Sequence, residues 1–406
     1  MFEIKGKYTI AKVMIDFVEP ECISQIVEMT NHPIFSNPIA IMPDTHSGKG
    51  SVIGFTMKLG DKIIPNIVGV DIGCGMLSVN VGFLDINHEE LDKKIRERVP
   101  FGFNIRNKAC ELSKIISTDK FKNLYKRIGI DEGYALRSLG TLGGGNHFIE
   151  LGRESGLLND LWITVHTGSR NLGKKVCEYW QKRAVDNLKD KSLGTFVDGM
   201  NKIKDTFPKS QWSVEIKKLK DLHNMGIKTN GMEFLTGSDL DGYVNDMTMA
   251  QEFAQWNRLA IINEILEILS VKPIDTIETV HNFIDPMDRI VRKGAIRSYV
   301  GERSIIPFNP HDGLLICEGK SNPEWNFSAP HGAGRVLSRS QAKKVITVEM
   351  AKEAMEGVYS SAQPLDESPL VYKDSALIEK CIEPTVTILK KIKPIHNMKD
   401  SEGERE

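Results

Sequence analysis

The sequence predicts a mixed α/β fold in one large domain, and two observations lead there. Short apolar runs punctuated by Gly and Pro read as strands, and longer amphipathic stretches between them read as helices. Their alternation is irregular, with no βαβ rhythm and no fixed repeat, so neither a Rossmann fold nor a TIM barrel fits. A third observation bears on domain count: no composition break and no Pro/Ser-rich linker divides the 406 residues.

Taken in order, 51–59, 63–70 and 76–82 are apolar runs bounded by turn residues and are expected to be strands. Asn87 is placed to cap a helix over 88–99, and helical character continues to about Leu139. DLWITVH (160–166) reads as a strand entering a Gly-Ser turn, followed by a helix over 174–191. Residues 192–244 are polar and Lys-rich and carry no clear period, and 202–220 reads as a solvated helix face. A long amphipathic helix is expected over 247–269, capped by Asn245. Strands return at 289–296 and 314–318, and helices are expected over 340–357 and 375–391. Trp180 and Trp256 fit helical core faces, and 400–406 reads as a disordered tail after a domain covering 1–399.

Lys and Arg number 53 against 54 Asp and Glu, a formal net charge of −1, with 26% charged and 40% hydrophobic residues. This composition excludes a disordered chain, a collagen-like repeat and a coiled coil. It also argues against bulk, charge-driven binding of nucleic acid or membrane, so any polyanion must be gripped locally. Charged residues interrupt the first sixteen positions, and Asn263, Glu264 and Glu267 interrupt the most apolar long stretch. Neither an export signal nor a membrane span is therefore expected. Six scattered cysteines without a C-x-x-C pair suit a reducing cytoplasm, five of them as core residues.

The chemistry gathers in glycine-rich turns. Three share a histidine, a glycine and then a basic residue: His46-Ser-Gly-Lys49, His166-Thr-Gly-Ser-Arg170 and His331-Gly-Ala-Gly-Arg335. Two others are Asp71-Ile-Gly-Cys74-Gly and Gly143-Gly-Gly-Asn146-His147. Glycine lets backbone N–H groups approach an anion, and a nearby cation adds charge-assisted hydrogen bonds. Singly, each is a tight turn with a hydrogen-bonded histidine; together they are a site. Asp71 and Cys74 are close enough to meet one metal; thiolate with imidazole leans to zinc, and the carboxylate admits manganese. His281 alone reads as a core histidine, and Asp44 alone as a brace for the Met42-Pro43 turn.

As an ordered set, these residues resemble the RtcB family of GTP-dependent RNA ligases. The matching strings are MPDTHSGKG (42–50), VGVDIGCGM (68–76), GTLGGGNHFIE (140–150), VHTGSRNLG (165–173), VHN (280–282), APHGAGRVLSR (329–339), VYKD (371–374) and PIHNMK (394–399). They span nearly the whole chain in the family's order. The resemblance implies an RtcB-like fold and His331 as the nucleophile that takes GMP from GTP, with Asp44 fixing its tautomer. It implies two Mn2+ ions held by Asp71, Cys74, His147, His166 and His281, with Cys74 shared between them. It places the guanylate against Asn146, Glu150, Asn282, Gly332, Ala333, Gly334, Tyr372 and Lys399. Glu150 would accept from guanine N1–H and N2–H2 together. The implied substrates are RNA ends bearing a 3′-phosphate or 2′,3′-cyclic phosphate and a 5′-hydroxyl, joined in RNA repair or tRNA splicing. Arg170 and Arg335 are expected at phosphates or RNA ends. Where many members carry Pro-Gly-Ser-Met-Gly, this chain has Pro307-Phe-Asn-Pro-His311, so base contacts from that loop do not carry over. The alternative is a metal-dependent phosphoesterase that processes RNA ends without joining them.

Overall fold

The computed structural model describes residues 1–156, 159–224 and 231–401. Two large sheets dominate. The first has seven strands in the order Asp275–Val280, Gly75–Asn80, Leu161–Thr167, Phe148–Glu154, Val386–Met398, Gly313–Gly319 and Arg303–Asn309. Every neighbouring pair in it is antiparallel. The second has six, ordered Phe2–Lys5, Ile10–Val13, Ile39–His46, Ile53–Lys58, Ile290–Lys293 and Phe283–Ile284, with one parallel pair, Ile10–Val13 against Ile39–His46. A parallel doubly wound sheet or barrel needs a crossover helix between successive strands, which this pairing lacks. The fold is mixed α/β, as the sequence predicts, and neither Rossmann nor TIM.

Several boundaries differ from expectation for identifiable reasons. The 63–70 run is a two-residue strand, Lys62–Ile63, followed by a helical turn, Pro65–Val68. Pro65 starts that turn and Gly69 ends it with φ 92°. The helix expected from 174 starts at Arg170 and runs on to Thr206, and Trp212–Asn224 packs back along it. The helix expected from Asn245 begins at Gly237, because Leu240 and Tyr243 continue the buried stripe upstream of the supposed cap. Asn87, by contrast, accepts from Glu90 N at the start of His88–Arg98. The 340–357 segment divides at Ile346-Thr347 into Arg339–Val345 and Val348–Glu353, each with its own N-cap. The 375–391 segment is helical only through Ile382; after Pro384 it becomes the strand Val386–Met398. Of the tail, 402–406 lie outside the described residues.

The long helix Gly237–Leu269 buries Met247, Ala250 and Phe253 in a cluster with Val176 and Trp180 of the Arg170–Thr206 helix. Further along it, Ile261, Ile262 and Ile265 pack under the seven-stranded sheet against Ile163 and Val165. Trp180 is buried there and Trp256 packs partly against the same cluster. The described part of 202–220 is mostly exposed, as a solvated face should be. Among the described residues no helix is long and apolar enough to cross a membrane. All six cysteines are unpaired.

Candidate active site

The seven-stranded sheet places four ligand-type residues at one end of four neighbouring strands. His281 directly follows Val280, which pairs with Gly75, itself preceded by Cys74. Gly75 pairs with Thr167, next to His166, and His166 pairs with Phe148, next to His147. Side chains separated by up to 207 residues of sequence therefore meet because adjacent strands end at the same level, and the Gly-rich turns beyond them bend back over that end. Asp71 enters from the turn before Cys74.

Two overlapping groups result, Cys74–His166–His281 and Asp71–Cys74–His147, each with its ligand atoms within 4.8 Å of one another. Cys74 Sγ lies 3.3 Å from His166 Nε2 and 3.5 Å from His147 Nε2, so the thiol is common to both. The other ring nitrogens orient the imidazoles: Nδ1 of His147 meets Leu142 O at 3.0 Å and Nδ1 of His166 meets Asn146 O at 3.2 Å. Donation from each Nδ1 leaves the Nε2 lone pair facing the cluster, the arrangement expected of metal-binding histidines. Burial pushes His166 and His281 well below the usual histidine range and keeps them neutral, as ligands must be. Burial and the Asp71 carboxylate raise the Cys74 thiol well above its ordinary value. Asp71 itself, despite burial, is drawn down to about 2 by His147 and its hydrogen bonds. The Cys74 sulfur, which a bound cation would deprotonate, the neutral imidazoles of His166 and His281 and the Asp71 carboxylate form a donor set that fits divalent metal.

Against this cluster stands His331. It follows the strand Ser328–Pro330, and its ring lies 4.7 Å from that of His281, edge to face. Its Nδ1 is 2.6 Å from Oδ2 of Asp44, a fully buried carboxylate on the strand Ile39–His46. The contact joins residues 287 positions apart and leaves Nε2 as the nitrogen with a free lone pair. Two glycines permit the approach. Gly334 has φ 76°, and a Cβ there would meet Asp44 O at 2.1 Å; Gly294 has φ 61°, and a Cβ would strike Ile53 at 2.2 Å.

A cavity of about 300 Å3 opens beside His331. Asn146, Glu150, Asn282, Gly332, Ala333, Gly334, Tyr372 and Lys399 all line it, together with Asp71, Cys74, His166 and His281. Glu150 accepts from Asn397 Nδ2 at 2.8 Å, and burial, opposed by Asn397 and Lys399, lifts its carboxyl to about 7. Pro307, Phe308, Asn309 and Pro310 also line the cavity, so the divergent loop faces the same space. The expected arginines fall differently. Arg335 lines the cavity but spends its donors on Glu367, Asp366 O and Leu337 O. Arg170 sits on the far side of Asp71 and His147, bonded to Thr141 Oγ1 and Gly102 O.

Sequence reasoning missed Glu367, Asn257 and Arg258, and gave His46 no role. Glu367, buried in PLDESPL, accepts from Tyr372 at 2.6 Å, Lys399 at 3.1 Å and Arg335 at 3.1 Å, and so sets the posture of three predicted contacts. Its carboxyl is held below the usual range: Lys399, Arg339 and Arg335 together outweigh its burial. From the long helix, Arg258 donates to Gly73 O, Thr167 O and Glu278, and Asn257 clasps Gly140, Thr141 and Gly168. The available signal was a polar Asn-Arg pair inside an apolar helical stripe. His46, noted only as one of the turn histidines, lines the cavity; burial lowers it to about 4, and its Nδ1 meets Asp44 O at 3.0 Å.

Comparison with known proteins shows the family. A family model described as tRNA-splicing ligase RtcB matches residues 25–135 and 130–400. RNA-splicing ligase RtcB of Escherichia coli K12 is 31% identical over 396 residues, covering 88% of each chain. The tRNA-splicing ligases RtcB of Aeropyrum pernix and Archaeoglobus fulgidus are 27% and 24% identical, covering 82% and 91% of this chain and 82% and 89% of theirs. The histidine–glycine strings and the clustered donors have one origin: the chain belongs to the RtcB family.

Proposed function

We propose that this protein is an RNA ligase that uses GTP and Mn2+ to join a 3′-phosphate or 2′,3′-cyclic phosphate end to a 5′-hydroxyl end. Residues 1–399 act as one catalytic domain, in the reducing cytoplasm that six unpaired cysteines suit. The observation that carries the reading is His331, oriented through Nδ1 by a buried carboxylate at 2.6 Å and set directly beside the ligand cluster.

The residues divide the labour as follows. With Nδ1–H held by Asp44, His331 Nε2 attacks the α-phosphorus of GTP; a P–N bond forms and pyrophosphate leaves. An oxygen of the RNA 3′-phosphate then attacks the same phosphorus, breaking that bond and carrying GMP onto the RNA end. The 5′-hydroxyl of the second strand attacks the activated 3′-phosphate, loses its proton, and GMP departs. A cyclic phosphate end is first opened by water to the 3′-phosphate. Asp71, Cys74, His147, His166 and His281 would hold two Mn2+ ions, which supply positive charge against the triphosphate and the crowded transition state. Glu150 selects guanine, an arrangement adenine cannot offer, and Asn146, Asn282, Tyr372, Lys399 and the 332–334 backbone line the rest of the guanylate.

Incubation with labelled GTP and Mn2+ should yield an acid-labile, alkali-stable protein–guanylate adduct, absent in His331→Ala. Supplied RNA ends should then be joined. No adduct at any Mn2+ concentration would overturn the reading. Phosphate release from RNA ends without GTP and without a joined product would replace it with a phosphoesterase.

A further inference from the structure

The last residues of the strand Val386–Met398 serve both faces of the seven-stranded sheet. Successive strand side chains alternate between faces. Asn397 and, just past the strand, Lys399 line the cavity beside His331, while His396 and Met398 point the other way. On that far face lies the helix His88–Arg98. Met398 packs with its Leu91 and Ile95, and Nε2 of the fully buried His396 lies 3.3 Å from Oδ2 of its Asp92.

Asp92 is itself buried and accepts from two further donors, Ser361 Oγ at 2.8 Å and Arg96 Nε at 2.8 Å. Burial alone would raise its carboxyl; His396, Ser361 and Arg96 outweigh it and hold the group below the usual carboxylate range. The Arg96 guanidinium lies 4.6 Å over the Phe101 ring and donates from Nη2 to the main-chain oxygen of Lys399 at 3.2 Å. The carboxylate thus holds residue 396 and the guanidinium holds residue 399. The stretch that carries Asn397 is pinned at both ends from behind, by two residues that do not line the cavity.

We propose that Asp92 and Arg96 are positioning residues for the guanylate, fixing Asn397 and Lys399 in the register that binds GTP. The inference rests on the ligase reading above, in which Glu150 and Lys399 hold the nucleotide. A buried ion pair is a costly way to cover a sheet face that apolar side chains would cover as well; what it adds here is one defined placement. On the cavity side, Asn397 Nδ2 donates to Glu150 at 2.8 Å and Lys399 Nζ to Glu367 at 3.1 Å. A strand end that shifts along its axis moves both side chains together, and a one-residue slip turns them out of the cavity. His331, Asp44 and the ligand cluster belong to other strands and turns and keep their own supports. Binding should therefore weaken while the chemical step keeps its rate.

The test follows single-turnover adduct formation against GTP concentration, with Mn2+ present, in Asp92→Asn, Arg96→Met and Arg96→Lys. Half-saturating GTP should rise about tenfold in the first two, the scale of one lost hydrogen bond to a charged group, with the maximal rate constant unchanged. Arg96→Lys should recover little, because one ammonium cannot serve both Asp92 and the Lys399 carbonyl as the guanidinium fork does. Arg96→Met placed on Lys399→Ala should add little to the effect of Lys399→Ala alone, since Arg96 acts through Lys399. Fully additive effects in that cycle overturn the proposal. So does a lowered melting temperature with half-saturating GTP unchanged, or a lowered maximal rate with half-saturating GTP unchanged. The Arg96 side chain is partly exposed, so its variants decide the matter if Asp92→Asn does not fold. A wild-type protein that forms no adduct would fail the ligase reading, and this inference with it.

Discussion

Asp44→Asn is the sharpest probe of the site because it changes one charge and almost no volume. Asp44 is fully buried, its Oδ2 lies 2.6 Å from His331 Nδ1, and its Oδ1 has no hydrogen-bond partner. Either orientation of the new amide costs. With nitrogen toward the ring, the amide donates to Nδ1 and moves the imidazole proton to Nε2, where the attacking lone pair is needed. With oxygen toward the ring, the tautomer survives but the charge is lost and an NH2 is buried where Oδ1 makes no hydrogen bond. A hydrogen bond to a charged partner contributes about 1.5–3 kcal/mol, and an unsatisfied buried donor costs about 1–3 kcal/mol. Together these give about 2.5–6 kcal/mol, a fall of about 10² to 10⁴ in the rate of adduct formation. Single-turnover formation of the protein–guanylate adduct at saturating GTP measures it, with metal content and melting temperature as controls for the fold. A loss smaller than about threefold in a folded, metal-replete variant would refute the tautomer argument.

Three more outcomes follow from other parts of the site. Glu150, lifted to about 7 by burial, must ionise to accept from guanine, so metal-free GMP should bind about tenfold more tightly at pH 8 than at pH 6; titration calorimetry with Glu150→Gln should show that dependence abolished. Cys74 belongs to both donor groups, so Cys74→Ala should lower Mn2+ stoichiometry and affinity at both positions, whereas His147→Ala should affect one, as metal analysis after dialysis would reveal. Arg258→Met leaves the carbonyls of Gly73 and Thr167 without their buried donor and should cost about 3 kcal/mol, at the lower end for a broken buried pair because Glu278 can recover water; a lowered urea midpoint checks it, and an unchanged one would show that the clamp is redundant.

What the sequence made legible had a local signature. The turns holding His147, His166 and His331 announce themselves because backbone that bends so sharply needs glycine next to the functional side chain. Glu367 has no such signature: it is an ordinary residue in ordinary surroundings until folding buries it against its partners, and Arg258 shows only as half of a polar pair in an apolar helical stripe. The 375–391 error has a related cause. Its Ile-Leu-Lys-Lys-Ile-Lys run fits an amphipathic helix as well as a strand, and its place between two strands already in the sheet, a non-local fact, decides for the strand.

Among the described residues, the strand Val386–Met398 alone joins the Phe148–Glu154 side of the seven-stranded sheet to the Gly313–Gly319 side. Its Asn397 meets Glu150 across 247 residues of chain. Closing so large a loop is entropically unfavourable until most of the molecule is already ordered. The wall proposed to read guanine should therefore be completed late in folding, and affinity for nucleotide should be acquired with the last seam of the sheet. The converse holds for the native protein: bound guanylate should act as a clasp, slowing hydrogen exchange along Val386–Met398 more than in strands remote from the ligand.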